Sequence, residues 1–376
     1  MNLLSHIHIH RIPNPSGVGR VIDQIIKTHA ECYPETDHRM LVSKKLYETF
    51  SPQLSDFWKK QTYISHGISA SLQQALWIWG NTPAAETYWP KVDVVYCPAE
   101  SYVPTKKAKL VSTIHDVAGF EPDLYPQDRD RRWHCRKWTS LFRQMEKHSD
   151  AVVTVSTFSA ERIAHFFPGL EHKLKVIYNA PHCIFGDPVD QELKKEVESL
   201  SAGNPYILVP GGLSLRKNAE IILKAIPEIA RQMPDVKLII AGSSGQTYLD
   251  QLKALNVENV VLAGYVSDEL LNALYHEASV VWFPSRYEGF GMPVIEAMAT
   301  GAPVVASNAA SVPEVAGGAA TLCDMDDANE HVEALRSVID SGASQKVDVR
   351  DRSRKQAAEF TWKSSAQTLE TIFRSL

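Results

Sequence analysis

The feature that most constrains this chain is a repeated alternation of short Val- and Ile-rich runs with longer helix-like stretches. The runs are Asp93–Cys97, Lys109–Ile114, Ala151–Val155 and Leu174–Tyr178 in the first half. In the second half they are Tyr206–Val209, Val236–Ala241, Val260–Ala263, Val280–Phe283 and Pro303–Ala306. Most lack the polar alternation of a strand with one wet face. Strands buried on both faces read this way, as in a parallel sheet covered by helices on each side. The alternation therefore predicts an α/β chain with a doubly wound, Rossmann-like sheet in each half. A length of 376 residues is enough for two such domains, each burying its own core.

The boundary is expected between Asn179 and Pro205. Turn formers there (Pro181, Gly186, Pro188) precede the charged stretch Gln191–Glu198 and then Ser201-Ala202-Gly203-Asn204. That division gives an N-terminal domain over residues 1–183, a linker with a short helix over 184–204 and a C-terminal domain over 205–359. Open α/β sheets bind ligands at the carboxyl ends of their strands, so two such domains predict a cleft with a ligand in it.

A net charge of −5 exerts no general pull on nucleic acid, so an anionic ligand has to be held by local charge. The cysteines at 32, 97, 135, 183 and 323 are scattered, odd in number and form no Cys-x-x-Cys pair. That pattern fits a reducing cytosol better than a disulfide framework or a zinc site. The segment Met1-Asn2-Leu3-Leu4-Ser5-His6 has no basic region and no long apolar run, so no signal peptide is expected, and no stretch approaches the ~20 apolar residues of a spanning helix.

Four constellations carry chemistry. The richest is Ser285–Gly301, which follows the run Val280–Phe283. Pro293 suits the first turn of a helix and Gly301 its C-terminal cap. Glu288 is then expected in a loop and Glu296 in the first helical turn, beside the amides of Gly289, Phe290, Gly291 and Met292. Carboxylates accept hydrogen bonds from sugar and ribose hydroxyls, and helix-start amides bind hydroxyls and negative charge. The competing reading is a plain glycine turn with Glu296 complementing the helix dipole. The second constellation is Val209-Pro210-Gly211-Gly212-Leu213-Ser214-Leu215-Arg216-Lys217-Asn218: a strand, a glycine turn and two cations opening a helix over Ala219–Ile229. Cations at a helix start are unfavourable unless an anion neutralises them, which points to phosphate. The Gly-Lys-Ser/Thr ending of a P-loop is absent.

The third is Ser16-Gly17-Val18-Gly19-Arg20 at the entry to a helix over Val21–Ala30. It offers amides to a phosphate or makes a purely structural turn, and Ile22 stands where a dinucleotide motif has its third glycine. The fourth is His115-Asp116 at the end of an apolar strand, readable as an acid–base pair or as a satisfied structural contact.

Together these pieces resemble the retaining glycosyltransferase family 4, whose members have the two-domain GT-B fold. The resemblance runs in order through Gly17–Arg20, His115-Asp116, Val155–Ser159, Val176–Asn179, Arg216–Asn218, Ala263–Val266 and the segment from Pro284 to Gly318. The stretch Glu288–Met298 is similar to the family's paired-glutamate motif, with seven residues between the carboxylates. The resemblance implies that Glu296 accepts from the nucleotide ribose. It implies that Glu288 and the amides of Gly289, Phe290, Gly291 and Met292 hold donor-sugar hydroxyls, and that Arg216 and Lys217, with the Gly212 turn, bind the diphosphate. It places His115 near the reacting centre, with Asp116 on the acceptor side, and Gly17 and Gly19 near the phosphates or the acceptor. The segment 360–376 is similar to the family's last helix, which returns to the N-terminal domain.

The implied reaction is transfer of a hexose with retention, metal-independent because cations take up the leaving-group charge, and with no cofactor beyond the nucleotide-sugar co-substrate. Overall likeness to bacterial mannosyltransferases of surface polysaccharide and O-antigen assembly makes GDP-mannose the first expected donor. UDP-glucose and UDP-N-acetylglucosamine stay open. The expected acceptor is a glycan or lipid-linked glycan. The alternatives are an inactive nucleotide-sugar-binding subunit and an epimerase or phosphorylase relative. Nucleic-acid binding is not expected.

Three features carry two readings each. His6, His8 and His10 alternate as metal ligands on a strand would, or as a polar edge face does. Residues Arg129–Lys147 interleave Arg131, Arg132, Arg136, Lys137 and Arg143 with Trp133, Trp138 and Phe142. This is either a basic helix at the surface of an inner membrane or an ordinary helix with an aromatic core face. Leu76–Trp79 with Tyr88-Trp89-Pro90 is core or acceptor-site lining.

Overall fold

The computed structural model describes residues 1–13, 17–124 and 129–376, with the side chains of all of these except 129–134 and 346. It forms two units, one made of Met1–Asn179 with Thr361–Leu376 and the other of Ala180–Phe360.

In the first unit seven strands pair in parallel: β1 (Asn2–His6), β2 (Asp37–Ser43), β3 (Thr62–His66), β4 (Val94–Cys97), β5 (Lys109–Thr113), β6 (Ala151–Thr154) and β7 (Leu174–Val176), in the order β3-β2-β1-β4-β5-β6-β7. The period of two divides each strand between two cores. Leu3, Met40, Val42, Val94, Tyr96, Val111 and Val153 pack on one face, against Ile22, Ile25 and Ile26 of the helix Gly17–Cys32. Leu4, Leu41, Val95, Cys97, Leu110 and Val152 pack on the other, against Trp77 and Ile78 of the helix Ala70–Gly80 and Leu141, Phe142 and Met145 of the helix Arg129–His148. Burial on both faces is why these runs read as apolar without alternation.

The C-terminal helix Trp362–Ser375, capped by the Thr361 side chain, adds Ala366, Leu369, Ile372 and Phe373 to the first of those cores. Glu370 on the same helix meets the ring of His29, with Nε2 and Oε2 at 2.9 Å and both side chains buried. The return of the last helix to the first unit thus rests on apolar burial with one hydrogen-bonded polar pair inside it.

The second unit holds six parallel strands: β8 (Tyr206–Pro210), β9 (Lys237–Ala241), β10 (Val260–Gly264), β11 (Val280–Phe283), β12 (Val304–Ser307) and β13 (Thr321–Cys323), in the order β10-β9-β8-β11-β12-β13. Ile207, Val209, Leu238, Ile240, Val280, Trp282 and Val305 form a core with Ile222, Ile226 and Ile229 of the helix Ala219–Gln232 and Val332 and Leu335 of the helix Ala328–Asp340.

The residues expected to form a linker over 184–204 pack as part of this second unit. The helix Gln191–Ser201 lies against the helix Asp268–Glu277. Asn272 accepts from the Gly186 amide at 3.1 Å and donates to the Asp187 carbonyl at 3.1 Å, and the rings of Phe185 and Tyr275 are 5.7 Å apart. The division between units falls at Asn179/Ala180 and again at Phe360/Thr361.

Because the last helix carries part of the first unit's core, Phe373→Ala is expected to destabilise the chain by about 3–5 kcal/mol. Urea denaturation measures this. A loss below about 1 kcal/mol would mean that the helix adds little to the core.

Candidate functional site

The strand order reverses between β8 and β11, so the segments leaving these two strands lie side by side at the carboxyl edge of the second sheet. After β8 the chain turns at Gly211 and Gly212, whose amides both donate to the Ala241 carbonyl, at 2.7 and 2.9 Å. Gly212 has a φ of +70°, and a Cβ on it would lie 2.0 Å from the Ser243 carbonyl oxygen. Only glycine fits that approach. The turn is further clamped by the Leu213 amide, which donates to Ser244 Oγ at 2.9 Å. Arg216 and Lys217 follow in the loop that leads into the helix Ala219–Gln232, which starts where the sequence placed it. Asn218, in the left-handed region at φ +59°, is the N-cap, and its amide group donates to the Met325 carbonyl at 2.7 Å.

The segment after β11 reaches back to this loop. The Arg286 amide donates to the Arg216 carbonyl at 3.0 Å, and Ser311 Oγ donates to the Glu288 carbonyl at 2.9 Å. Between these anchors the Glu288 carboxylate receives Arg216 Nη1 on Oε2 at 2.9 Å and Lys217 Nζ on Oε1 at 2.7 Å. Exposure is 7 % for the Glu288 side chain, 11 % for Lys217 and 35 % for Arg216, so the cluster is largely dry with one cation reaching solvent. Burial pushes the Glu288 carboxyl upward, but Lys217 and then Arg216 outweigh it and hold it below the ordinary glutamate range. Burial lowers the Lys217 ammonium against the pull of Glu288. Lys217 Nζ also stands 4.5 Å from the centroid of the Phe283 ring.

Sequence reasoning assigned Glu288 to sugar hydroxyls and the cations to diphosphate. In this structure both Glu288 oxygens bind those cations, so the three residues form one charged group. Gly291, at φ +95°, is the N-cap of the helix Met292–Thr300, with Pro293 in the first turn and Gly301 as the C-cap. Glu296 lies beyond the first turn of this helix, in contrast to the expectation, because the helix starts at Met292. It is buried, and Tyr275 Oη is 3.5 Å from its Oε2. That position removes the simple reading of Glu296 as a carboxylate placed to offset a helix dipole.

In the first unit the order reverses between β1 and β4. His115, just beyond β5, does not use Asp116 as its partner: its backbone amide and ring Nδ1 both lie 2.9 Å from Glu100 Oε1. Asp116 instead accepts from the Ala118 amide at 3.0 Å. Burial lowers the His115 ring, Glu100 outweighs it, and the net shift is upward. Burial raises the Glu100 carboxyl, but His115 holds it down at about 2. Glu100 is the residue that sequence reasoning missed. Its signal was a carboxylate three residues past the end of the central strand β4.

Gly17 and Gly19 are the first and third residues of the helix Gly17–Cys32, and Ser16 lies outside the described residues. A Cβ on Gly17 would meet nothing within 4 Å. The strand β1 ends at His6, so the three alternating histidines do not share a strand face. His6 Nδ1 bonds Ser101 Oγ at 2.9 Å, and the rings of His8 and His10 stack with centroids 6.0 Å apart. In the helix Arg129–His148, Leu141, Phe142 and Met145 are buried while Arg136, Lys137 and Arg143 are exposed; the side chains of Arg131, Arg132 and Trp133 lie outside the described residues. The Trp-rich stretch divides, since Trp77 is buried and Trp79 is 71 % exposed.

Two Rossmann-like parallel sheets, each with a charged cluster at its carboxyl edge, define a doubly wound α/β protein of two units. Comparison with known proteins narrows it. The sequence pattern of the family described as glycosyl transferases group 1 matches residues 190–359. The O-antigen chain mannosyltransferase B of Escherichia coli is 31% identical over 293 residues, covering 74% of this chain and 73% of that protein. An uncharacterized glycosyltransferase of Methanocaldococcus jannaschii is 32% identical over 200 residues, covering 51% of this chain and 49% of that protein, so the match spans about half of its length. Among solved structures, Anabaena HepE in complex with UDP and glucose shares the fold, with a TM-score of 0.72 over 100% of both chains at 19% identity. The chain belongs to the glycosyl transferases group 1 family.

The turn geometry sets two glycines apart. Gly212→Ala is expected to cost more than about 1 kcal/mol, from a strained φ and a backbone clash, whereas Gly17→Ala should be neutral or stabilise by up to about 1 kcal/mol. Denaturation midpoints of the two variants, compared with the parent chain, check the contrast.

Proposed function

We propose that this chain is a retaining glycosyltransferase that moves a hexose from a nucleotide-diphosphate sugar to a glycan or lipid-linked glycan. The observation that carries the reading is the buried Arg216–Glu288–Lys217 cluster at the switch point of the second sheet. Glu288 holds both cations in a largely dry site, and Glu296 also acts on Lys217. When the bond from the anomeric carbon to the diphosphate breaks, negative charge grows on the leaving phosphate and positive charge on the sugar. Preorganised cations stabilise the former without reorganisation, which makes a divalent metal unnecessary. The acceptor oxygen bonds to the same face of the sugar, and its proton passes to the departing diphosphate. In this reading Glu296 binds the ribose, the segment Gly289–Met292 with Glu288 holds the sugar, and His115 lies near the reacting centre.

GDP-mannose is the first donor to test, supported by similarity to a mannosyltransferase. UDP-glucose is the second, supported by the UDP and glucose bound to the Anabaena relative. A thermal-shift screen of nucleotides and nucleotide sugars, followed by product analysis with glycan acceptors, tests the reading. No shift with any nucleoside diphosphate sinks it, and a shift without transfer to any acceptor favours a binding subunit. Arg216→Ala is expected to lower turnover by on the order of 100- to 1,000-fold with folding intact. Glu296→Ala should weaken binding of the free nucleotide by about tenfold, the loss of one charge-assisted hydrogen bond.

A lipid-linked acceptor implies work at a membrane surface. Among the described residues no helix is long and apolar enough to cross a membrane. The helix Ala70–Gly80 nevertheless exposes Leu72 at 52 %, Leu76 at 38 % and Trp79 at 71 %, preceded by Ile68 at 36 %. Residues 67–85 carry no charged side chain. This helix touches the helix Arg129–His148, whose Arg136, Lys137 and Arg143 are exposed. An apolar stripe beside basic residues suits an anionic bilayer, with the apolar side chains in the headgroup boundary. Trp79→Ser is expected to weaken binding to phosphatidylglycerol vesicles at least about tenfold, from the apolar burial forgone. Equal co-sedimentation of the two proteins would remove this contact.

A further inference from the structure

The largely buried pair Glu100–His115 belongs to the first unit, and its arrangement is specific. One carboxylate oxygen, Oε1, takes both the His115 amide and ring Nδ1, each at 2.9 Å. Side-chain exposure is 13 % for Glu100 and 9 % for His115, so water competes little for either contact. A carboxylate accepts and cannot donate, so Nδ1 must carry the hydrogen, and the ring is held in one tautomer. The second ring nitrogen, Nε2, is buried with no hydrogen-bond partner among the described residues. Buried polar atoms in folded proteins are almost always bonded, and an exception calls for an explanation. Catalytic and ligand-binding histidines are commonly oriented this way, by a carboxylate on one nitrogen that leaves the other for chemistry.

We propose that Glu100 is a positioning residue, which fixes the tautomer and orientation of His115 so that Nε2 serves bound substrate. The proposal rests on the glycosyltransferase reading above. Holding the amide and the ring with one oxygen ties the side chain to its own backbone, so rotation of the ring breaks a contact that the strand end keeps in place. The charged groups around the pair are Asp116, which favours the protonated ring, Arg11, which opposes it, and His8 on the Glu100 side. Glu100 acts on the ring more strongly than either Asp116 or Arg11. With Glu100 neutral, the His115 ring therefore titrates at lower pH. With Glu100 charged, Nε2 gains a proton more readily and can donate to negative charge on a substrate; in the neutral ring it accepts from a hydroxyl.

The test uses the full chain with GDP-mannose and UDP-glucose as donors. Glu100→Gln keeps the size of the side chain but removes its charge, and its amide also lets the ring adopt the opposite tautomer. It is expected to lower kcat by up to about 100-fold with a smaller change in KM, as misplacement of a reacting group does. The limb of the pH–rate profile that belongs to His115 should move to lower pH, and histidine NMR should show the same displacement of the ring titration without turnover. Glu100→Asp, which restores the charge, should return the titration toward the parent value, and turnover of His115→Ala keeps the proposal open to refutation if the glutamine variant fails to fold. An unchanged pH profile and unchanged His115 titration in Glu100→Gln would overturn the proposal while leaving the transferase reading intact. Parent-level turnover by His115→Ala would overturn it as well. Absence of transfer from any donor by the parent chain would overturn the transferase reading itself, and this proposal with it.

Discussion

Parallel strands cannot be joined by tight turns, and this constraint shapes the molecule. Every connection must cross a face of the sheet, so both faces are covered and both must be apolar. Val94 and Tyr96 go to one core while Val95 and Cys97 go to the other. The crossovers also bring all carboxyl ends of a sheet to one edge. Where the order reverses, at β1/β4 and at β8/β11, two departing segments diverge and leave polar backbone and side chains together. Glu100 and His115 lie at the first of these edges, and Arg216, Lys217 and Glu288 at the second.

The second cluster is costly to hold out of water. A buried ion pair recovers its desolvation only when its hydrogen bonds are complete, and it seldom stabilises a fold more than apolar side chains of the same volume would. Glu288 meets that condition by engaging both cations, one on each oxygen. The backbone bond from Arg286 to Arg216 and the glycine turn at Gly212 hold the two loops in register. What the arrangement supplies is therefore orientation: two cationic donors are held in place on one carboxylate. Removing Glu288 would leave Arg216 and Lys217 without their shared carboxylate in a largely dry site.

How much of this was legible in the sequence depends on whether the signal is local. Val280–Phe283 was readable as a strand because its own residues are buried on both sides, and Pro293 and Gly301 marked the ends of the helix Met292–Thr300. Strands β1, β2, β3 and β13 were not among the apolar runs: β1 holds Asn2, Ser5 and His6, β2 opens with Asp37-His38-Arg39, β3 is an exposed edge, and β13 is three residues long. Glu296 falls outside the first turn because the helix already opens at Met292, one residue before Pro293, which makes Glu296 its fifth residue. The partner of His115 was not legible at all. Glu100 stands 15 residues away, and only the pairing of β4 with β5 brings it to the ring, whereas Asp116 is adjacent in sequence but bonds the Ala118 amide. Likewise, residues 180–204 look like a linker by composition, yet Asn272, 85 and 86 residues onward from its partners, ties them into the second unit.

A protein that only bound a nucleotide sugar would need ribose and sugar contacts, the roles proposed above for Glu296 and the Met292 helix start. It would gain nothing from a histidine held rigidly with one nitrogen buried and unbonded. An unsatisfied buried polar atom costs about 1–3 kcal/mol, a sizeable share of the stability of an ordinary domain. Glu100 could be replaced by an apolar residue and His115 by another, and the first sheet would be no less stable for it. The pair instead keeps an oriented, readily protonated ring at a switch point. Such a group lowers the energy of a state in which charge moves, and contributes little to one in which a ligand merely sits. Under the proposal above that difference would separate a transferase from a binding subunit, with the distinguishing residues in the first unit rather than in the segment from Ser285 to Gly301.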